Sequence, residues 1–169
     1  MALTKLNFSG QPTITSANFP TGSIIQTVQG GRTDRFISTS GSTFVDCGVS
    51  VDITPSSTSS TILITVSGTL ANEGTNGNRC LVKLFRGSTE IGSGTSGSTY
   101  NVFTSALPVE SYNVYPFSNS FIDSPSTTSL ITYKIQIAAS STADTAIGGR
   151  GDIDEVAVPT RITAMEIKG

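Results

Sequence analysis

The chain has 169 residues, enough for one domain with a real core. Charged residues make up 13% of it and the formal net charge is −2. That excludes a basic field for a nucleic acid backbone, and it excludes disorder, which pairs low hydrophobicity with high net charge. Ser, Thr, Asn and 17 Gly fill the space that charges usually occupy, so the expected surface is neutral, hydroxyl-covered and rich in turns.

Taken in order, residues 1–22 carry Leu3, Leu6, Phe8, Ile14, Phe19 and Pro20 among polar residues, with no helical period. They read as an extended arm. Leu3, Leu6, Phe8, Ile14 and Phe19 are its candidate partner contacts. The first ten residues lack a charged-then-apolar signal pattern, so synthesis and assembly in a cytoplasm are expected. Residues 23–169 read as the folded domain. Its first strand spans 23–29 and is closed by Gly30-Gly31; Arg35-Phe36-Ile37 is a short second one.

The central hairpin follows. On its first limb Val45, Cys47, Val49, Val51 and Ile53 fall at every second position. On its second limb Ile62, Ile64, Val66, Gly68 and Leu70 do the same. Period two puts each set on one face of a strand. Thr54-Pro55 and a run of hydroxyl residues supply the turn between the limbs.

Asn76-Gly77 marks another hairpin turn. Residues 80–86 are apolar on both parities and read as a strand covered on both faces. Residues 87–98 are a Gly/Ser loop anchored by Ile91, and 100–103 a short strand. Val114 to Asp123 puts Tyr115, Phe117, Asn119 and Phe121 on one face. Leu130 to Ala139 puts Ile131, Tyr133, Ile135, Ile137 and Ala139 on one face and Thr132, Lys134 and Gln136 on the other. Residues 140–158 are a long polar loop. Residues 161–167 form a last strand suited to the middle of a sheet. Eight or nine strands and no helix predict an all-β protein: a single antiparallel β-sandwich of jelly-roll type. The strand count and the lack of Trp favour a jelly roll over an immunoglobulin-like sandwich.

Catalytic and metal-binding patterns are weak. Without His, a Ser-His-Asp triad is excluded. Two Cys and no His are too few soft ligands for zinc. Cys47 and Cys80 read first as core thiols, with a disulfide as the alternative. Glu73, Glu90, Glu110 and Asp123 lie at loops or strand ends, and nothing singles out a pair for sugar hydrolysis. Asp152, Asp154 and Glu155 read as a solvated acidic loop. Arg150-Gly151-Asp152 reads as a turn before it reads as an adhesion tripeptide. Tyr112, Arg150 and Asp152 remain as a candidate exposed contact loop. The expectation is a protein that is not an enzyme and has no cofactor, metal, nucleic acid or membrane partner.

Several segments together carry a resemblance: Val51-Asp52-Ile53-Thr54-Pro55 with the Ser/Thr run after it, Ile62-Leu63-Ile64, Phe121-Ile122-Asp123-Ser124-Pro125, Ile131-Thr132-Tyr133-Lys134, and Ile162-Thr163-Ala164-Met165-Glu166-Ile167. In this order they resemble a family of tailed-bacteriophage structural proteins frequent in phages of cyanobacteria and other aquatic bacteria. The resemblance covers residues 23–169. It implies a homotrimeric jelly-roll head on the exterior of a virion. The preferred version is a capsid decoration, or cement, protein bound to the major capsid protein, with residues 1–22 lying across neighbouring coat subunits. The alternatives are a tail-fibre or receptor-contacting tip, with other tail proteins and a host surface glycan as partners, and a lectin-like carbohydrate-binding module.

Overall fold

A computed structural model describes residues 18–73, 78–97, 99–106, 113–150 and 157–169. Eleven strands occur among them: β1 (Ile24–Arg32), β2 (Phe36–Ser38), β3 (Val45–Ile53), β4 (Thr61–Glu73), β5 (Cys80–Arg86), β6 (Thr89–Ile91), β7 (Thr104–Ala106), β8 (Val114–Asp123), β9 (Ile131–Ala139), β10 (Asp144–Ile147) and β11 (Thr160–Ile167). They form two antiparallel sheets. In sheet A the main order is β1-β11-β4-β8, and β10 and β2 extend the far half of β4. In sheet B the order is β3-β9-β5, with β6 and β7 sharing the free edge of β5.

Setting the short β2 and β10 aside and counting β6 and β7 as one position leaves eight main strands. They pair first with last, second with seventh, third with sixth and fourth with fifth. This nested pairing, split between two facing sheets, is the jelly roll. The last strand, β11, does lie mid-sheet, between β1 and β4.

The core follows from the alternation. Cys47, Val49, Val51 and Ile53 from β3, Ile62, Ile64, Val66 and Leu70 from β4, and Ile131, Tyr133, Ile135 and Ile137 from β9 are all buried between the sheets. The alternation in β3 survives a bulge at Gly48. Asp46 opposes Gln136 and Ser50 opposes Lys134, so β3 carries two extra residues, and an even number keeps the faces in phase. Gly48 takes a left-handed φ of 74° there, and the Arg32 guanidinium donates to the Cys47 carbonyl at 2.6 Å.

Four expectations change. Gly30-Gly31 does not close β1, which runs on to Arg32. A Cβ on Gly30 would stand 1.9 Å from the Ser50 carbonyl oxygen, so the glycine permits the close approach of β1 to β3. The predicted strand at 100–103 forms instead at Thr104–Ala106, opposite Cys80–Val82. The loop at 87–98 contains β6, held by the pairing of Ile91 with Leu84. The long loop after β9 contains β10, which borrows its partners from β4 and β2. The two cysteines are separate buried thiols, and the disulfide alternative falls. Burial raises both to about 11.

Candidate functional site

Of the predicted contact residues, Leu3, Leu6, Phe8, Ile14, Tyr112 and Asp152 lie outside the described residues. Phe19 is described and 41% exposed. Its carbonyl accepts from Lys168 Nζ, and Gly22 N–H donates to the Lys168 carbonyl at 2.8 Å. Residues 18–22 are therefore tied to the end of β11. Arg150 is only half-exposed, and its carbonyl accepts from Arg35 at 2.7 Å.

Register supplies a different candidate. Facing residues of paired strands share a side of the sheet. Ile122 on β8 faces Leu63 on β4, and Leu63 faces Met165 on β11. One step further along, Ile167 on β11 faces Ile24 on β1. All five have the outward parity of sheet A. Ile122 is 57% exposed and Ile24 is 54% exposed; Leu63, Met165 and Ile167 are half-buried between them. Leu130, 66% exposed, lies at the same end of the sandwich, just before β9. Beyond this apolar row the face continues as Thr27, Gln29, Thr163, Thr65, Ser120, Ser67 and Ser118; among the described side chains of β1, β11, β4 and β8 Arg161 is the single charged one on it, and Asp144 on β10 takes the same parity at the far end.

The outer face of sheet B is built otherwise. Lys134 Nζ meets Asp46 at 2.7 Å, and Lys83 Nζ meets Glu90 at 2.6 Å and stands 4.7 Å from the Phe44 ring centroid. Thr132 donates to Asp52 at 2.6 Å. Partial burial would raise the Asp46 carboxyl, but bonds from Lys134 and the Gly48 N–H hold it below the ordinary range. Burial, then Lys83 and Ser93, act the same way on Glu90, which also ends low. A shallow groove of about 500 Å³ crosses this face over Phe85, Ser88 and Gln136. A second one passes Tyr100, Leu81 and Arg79. The Tyr100 hydroxyl donates to the Ser140 carbonyl.

Two buried carboxylates close the end of the sandwich below the apolar row. Asp123 accepts two bonds from Arg86 at 2.9 and 3.0 Å and one from the Tyr133 hydroxyl at 2.7 Å. Burial, and then donation to this carboxylate, push the Tyr133 hydroxyl well above the ordinary tyrosine value. Glu166 uses one oxygen for the Ser56 N–H, the Ser56 hydroxyl and the Ser60 hydroxyl, each at 2.7 Å. With its amide nitrogen turned toward it, Gln26 donates to the other oxygen at 3.2 Å. Both acids are thus saturated by structural donors, and Glu166 ties the turn between β3 and β4 to the last strand. The sequence reading passed over Glu166. Its signal was the parity that buries Ile162 and Ala164.

Among the described residues no three acidic, Cys or His side chains gather as a metal site, and no helix is long and apolar enough to cross a membrane. No family model matches the chain, and no curated protein matches it. Among solved structures it is similar to the crystal structure of infectious bursal disease virus VP2 subviral particle, with a TM-score of 0.37 and 11% identity. That match covers 85% of this chain and 37% of the other, so this chain spans little more than a third of its length. The jelly-roll assignment rests on the strand order given above and not on this likeness.

Proposed function

We propose that this chain is a non-enzymatic structural protein of a virion exterior, and specifically a capsid decoration protein of a tailed phage that braces the shell as a trimer. The observation that carries this reading is the outer face of sheet A. It is broad, neutral apart from Arg161 among the described side chains of β1, β11, β4 and β8, and apolar along one edge, on a sandwich whose described buried acids are engaged in holding the fold. Such a face loses its water at little cost and adheres by area. The motif resemblance to phage structural proteins supplies the virion setting. Many modest contacts across several coat subunits add through avidity.

The test mixes purified protein with undecorated capsids and follows binding and shell rupture on heating. Expected are saturable binding and a higher rupture temperature, both lost on deleting residues 1–22. Full-strength binding by the truncated form would remove the arm from the mechanism. Absent capsid binding, together with adsorption to host cells and blocking of infection, would move the protein to a tail-fibre tip.

A second reading has its own observation. The Phe85 ring lies in a groove with the free amide of Gln136 and the hydroxyl of Ser88, an arrangement on which a sugar ring stacks. A glycan array decides it. Binding lost in Phe85→Ala would establish a lectin, and a blank array would dismiss one.

A further inference from the structure

The face that carries the proposed function has a specific occupant. We infer that the apolar row of sheet A, Ile24, Ile167, Met165, Leu63 and Ile122, seats a second copy of this chain, so that the oligomer is built through this face. The inference rests on the reading of this face as adhesive and names its partner.

Three observations point to a like copy. The first is charge. A partner of opposite sign would call for a charged face, yet among the described side chains of β1, β11, β4 and β8 only Arg161 is charged here, four residues along β11 from Met165, or about 13 Å. A second copy seated on the row therefore meets no charge at its centre and leaves Arg161 at the rim of the contact, where it keeps its water. The second is area. Four strands about 4.8 Å apart, with eight residues at about 3.3 Å each, give roughly 500 Å² in plan, and side-chain relief brings the accessible area toward the ~800 Å² per partner of a standard interface. The third is the edge of the sheet. Strand addition at β8 is the competing mode of self-association, and it is blunted. Pro116 has no N–H to offer, and the Ser120 N–H is taken by Asn119 Oδ1 at 2.9 Å. At this side of sheet A the face, and not the β8 edge beside the row, is the route open to a second copy.

Sedimentation of the whole protein without capsids provides the test, which keeps it separate from shell binding. Expected is a species heavier than one chain at 20 µM, weakened at least 100-fold by Leu63→Lys or Ile122→Lys. Gln136→Lys, on the opposite face, should leave the mass unchanged. Because a lysine at half-buried Leu63 can disturb folding, Ile122→Cys provides a second measurement: a short bismaleimide should link copies through it and should not link Gln136→Cys. Cys47 and Cys80 are buried and do not interfere. A wild type that stays monomeric at 100 µM overturns the inference, and so does an oligomer indifferent to both lysines. If deleting residues 1–17 turns a monomer into an oligomer, the chain's own first segment covers the row and the inference fails.

If self-association fails while capsid binding holds, the decoration reading survives without this interface. If self-association holds while capsid binding fails, the interface survives and the location does not.

Discussion

On the outer face of sheet B, Asp46, Lys134, Lys83 and Glu90 neutralise one another within the chain. On the outer face of sheet A the corresponding positions hold Thr, Ser and Gln, with Leu63, Met165 and Ile122 in one row. Both faces obey the same alternation and cover the same core, so folding does not require the difference. Removing paired ions from water is costly and returns little. Removing methyl and hydroxyl groups from water is cheap, and burying the methyls is favourable. The contrast separates a face that stays wet from one suited to lose its water.

The contrast can be broken most severely where the two sheets press together. Gly30→Ala sets a Cβ against the Ser50 carbonyl oxygen and should cost about 3 kcal/mol or more, read as the shift in a urea unfolding curve. Next comes Glu166→Ala, beneath the apolar row. It strands the Ser56 N–H and two hydroxyls, and about 2–3 kcal/mol should be lost. Ser56→Ala should cost less than half of that, because a backbone donor and the Ser60 hydroxyl remain.

Surface changes then sharpen the contrast. Ile122→Lys should alter stability by no more than about 0.5 kcal/mol, since its side chain is already half in water, while changing the sedimenting mass. Asp46→Asn should also stay within about 0.5 kcal/mol and leave the mass alone. The pH dependence provides the finest check. Asp46 and Glu90 titrate below their ordinary values of 3.8 and 4.5 in the folded chain. Their contribution is full above those values and fades as the pH falls through the depressed folded ones. Unfolding curves of wild type and the Asp46→Asn, Glu90→Gln double variant should therefore converge between pH 6 and 3. A gap that widens on acidification would contradict the pairing.

Alternation made β3, β4, β8, β9 and β11 legible before any coordinates, because each has one face against the core. Leu63, Met165 and Ile122 take the opposite parity of their strands, although the sequence alone did not single them out. It could not show that they form one row, since register is a long-range property. Strands β6, β7 and β10 escaped because three or four residues carry no period; each is held by a neighbour already in place. The glycine pair at 30–31 was read as a stop, when its meaning lay in the distance to β3. Leu81, on the outward parity of β5, is buried, but Lys83 and Phe85 on the same face are only half-buried, so the strand is covered on both faces at its start alone and not along its length as its two-sided apolar pattern foretold. The predicted arm contacts and the contact loop were chosen by composition, and of those described, only Phe19 is well exposed.

The nested pairing also sets an order in time. The innermost pair, β5 with β6, closes over a handful of residues, whereas β1 and β11 lie at opposite extremes of the domain. Loop-closure entropy favours zipping outward from the middle. A nascent chain must then carry β1 unpaired until β11 leaves the ribosome. Until that moment the apolar row is incomplete, so copies would recognise one another only after each has finished folding.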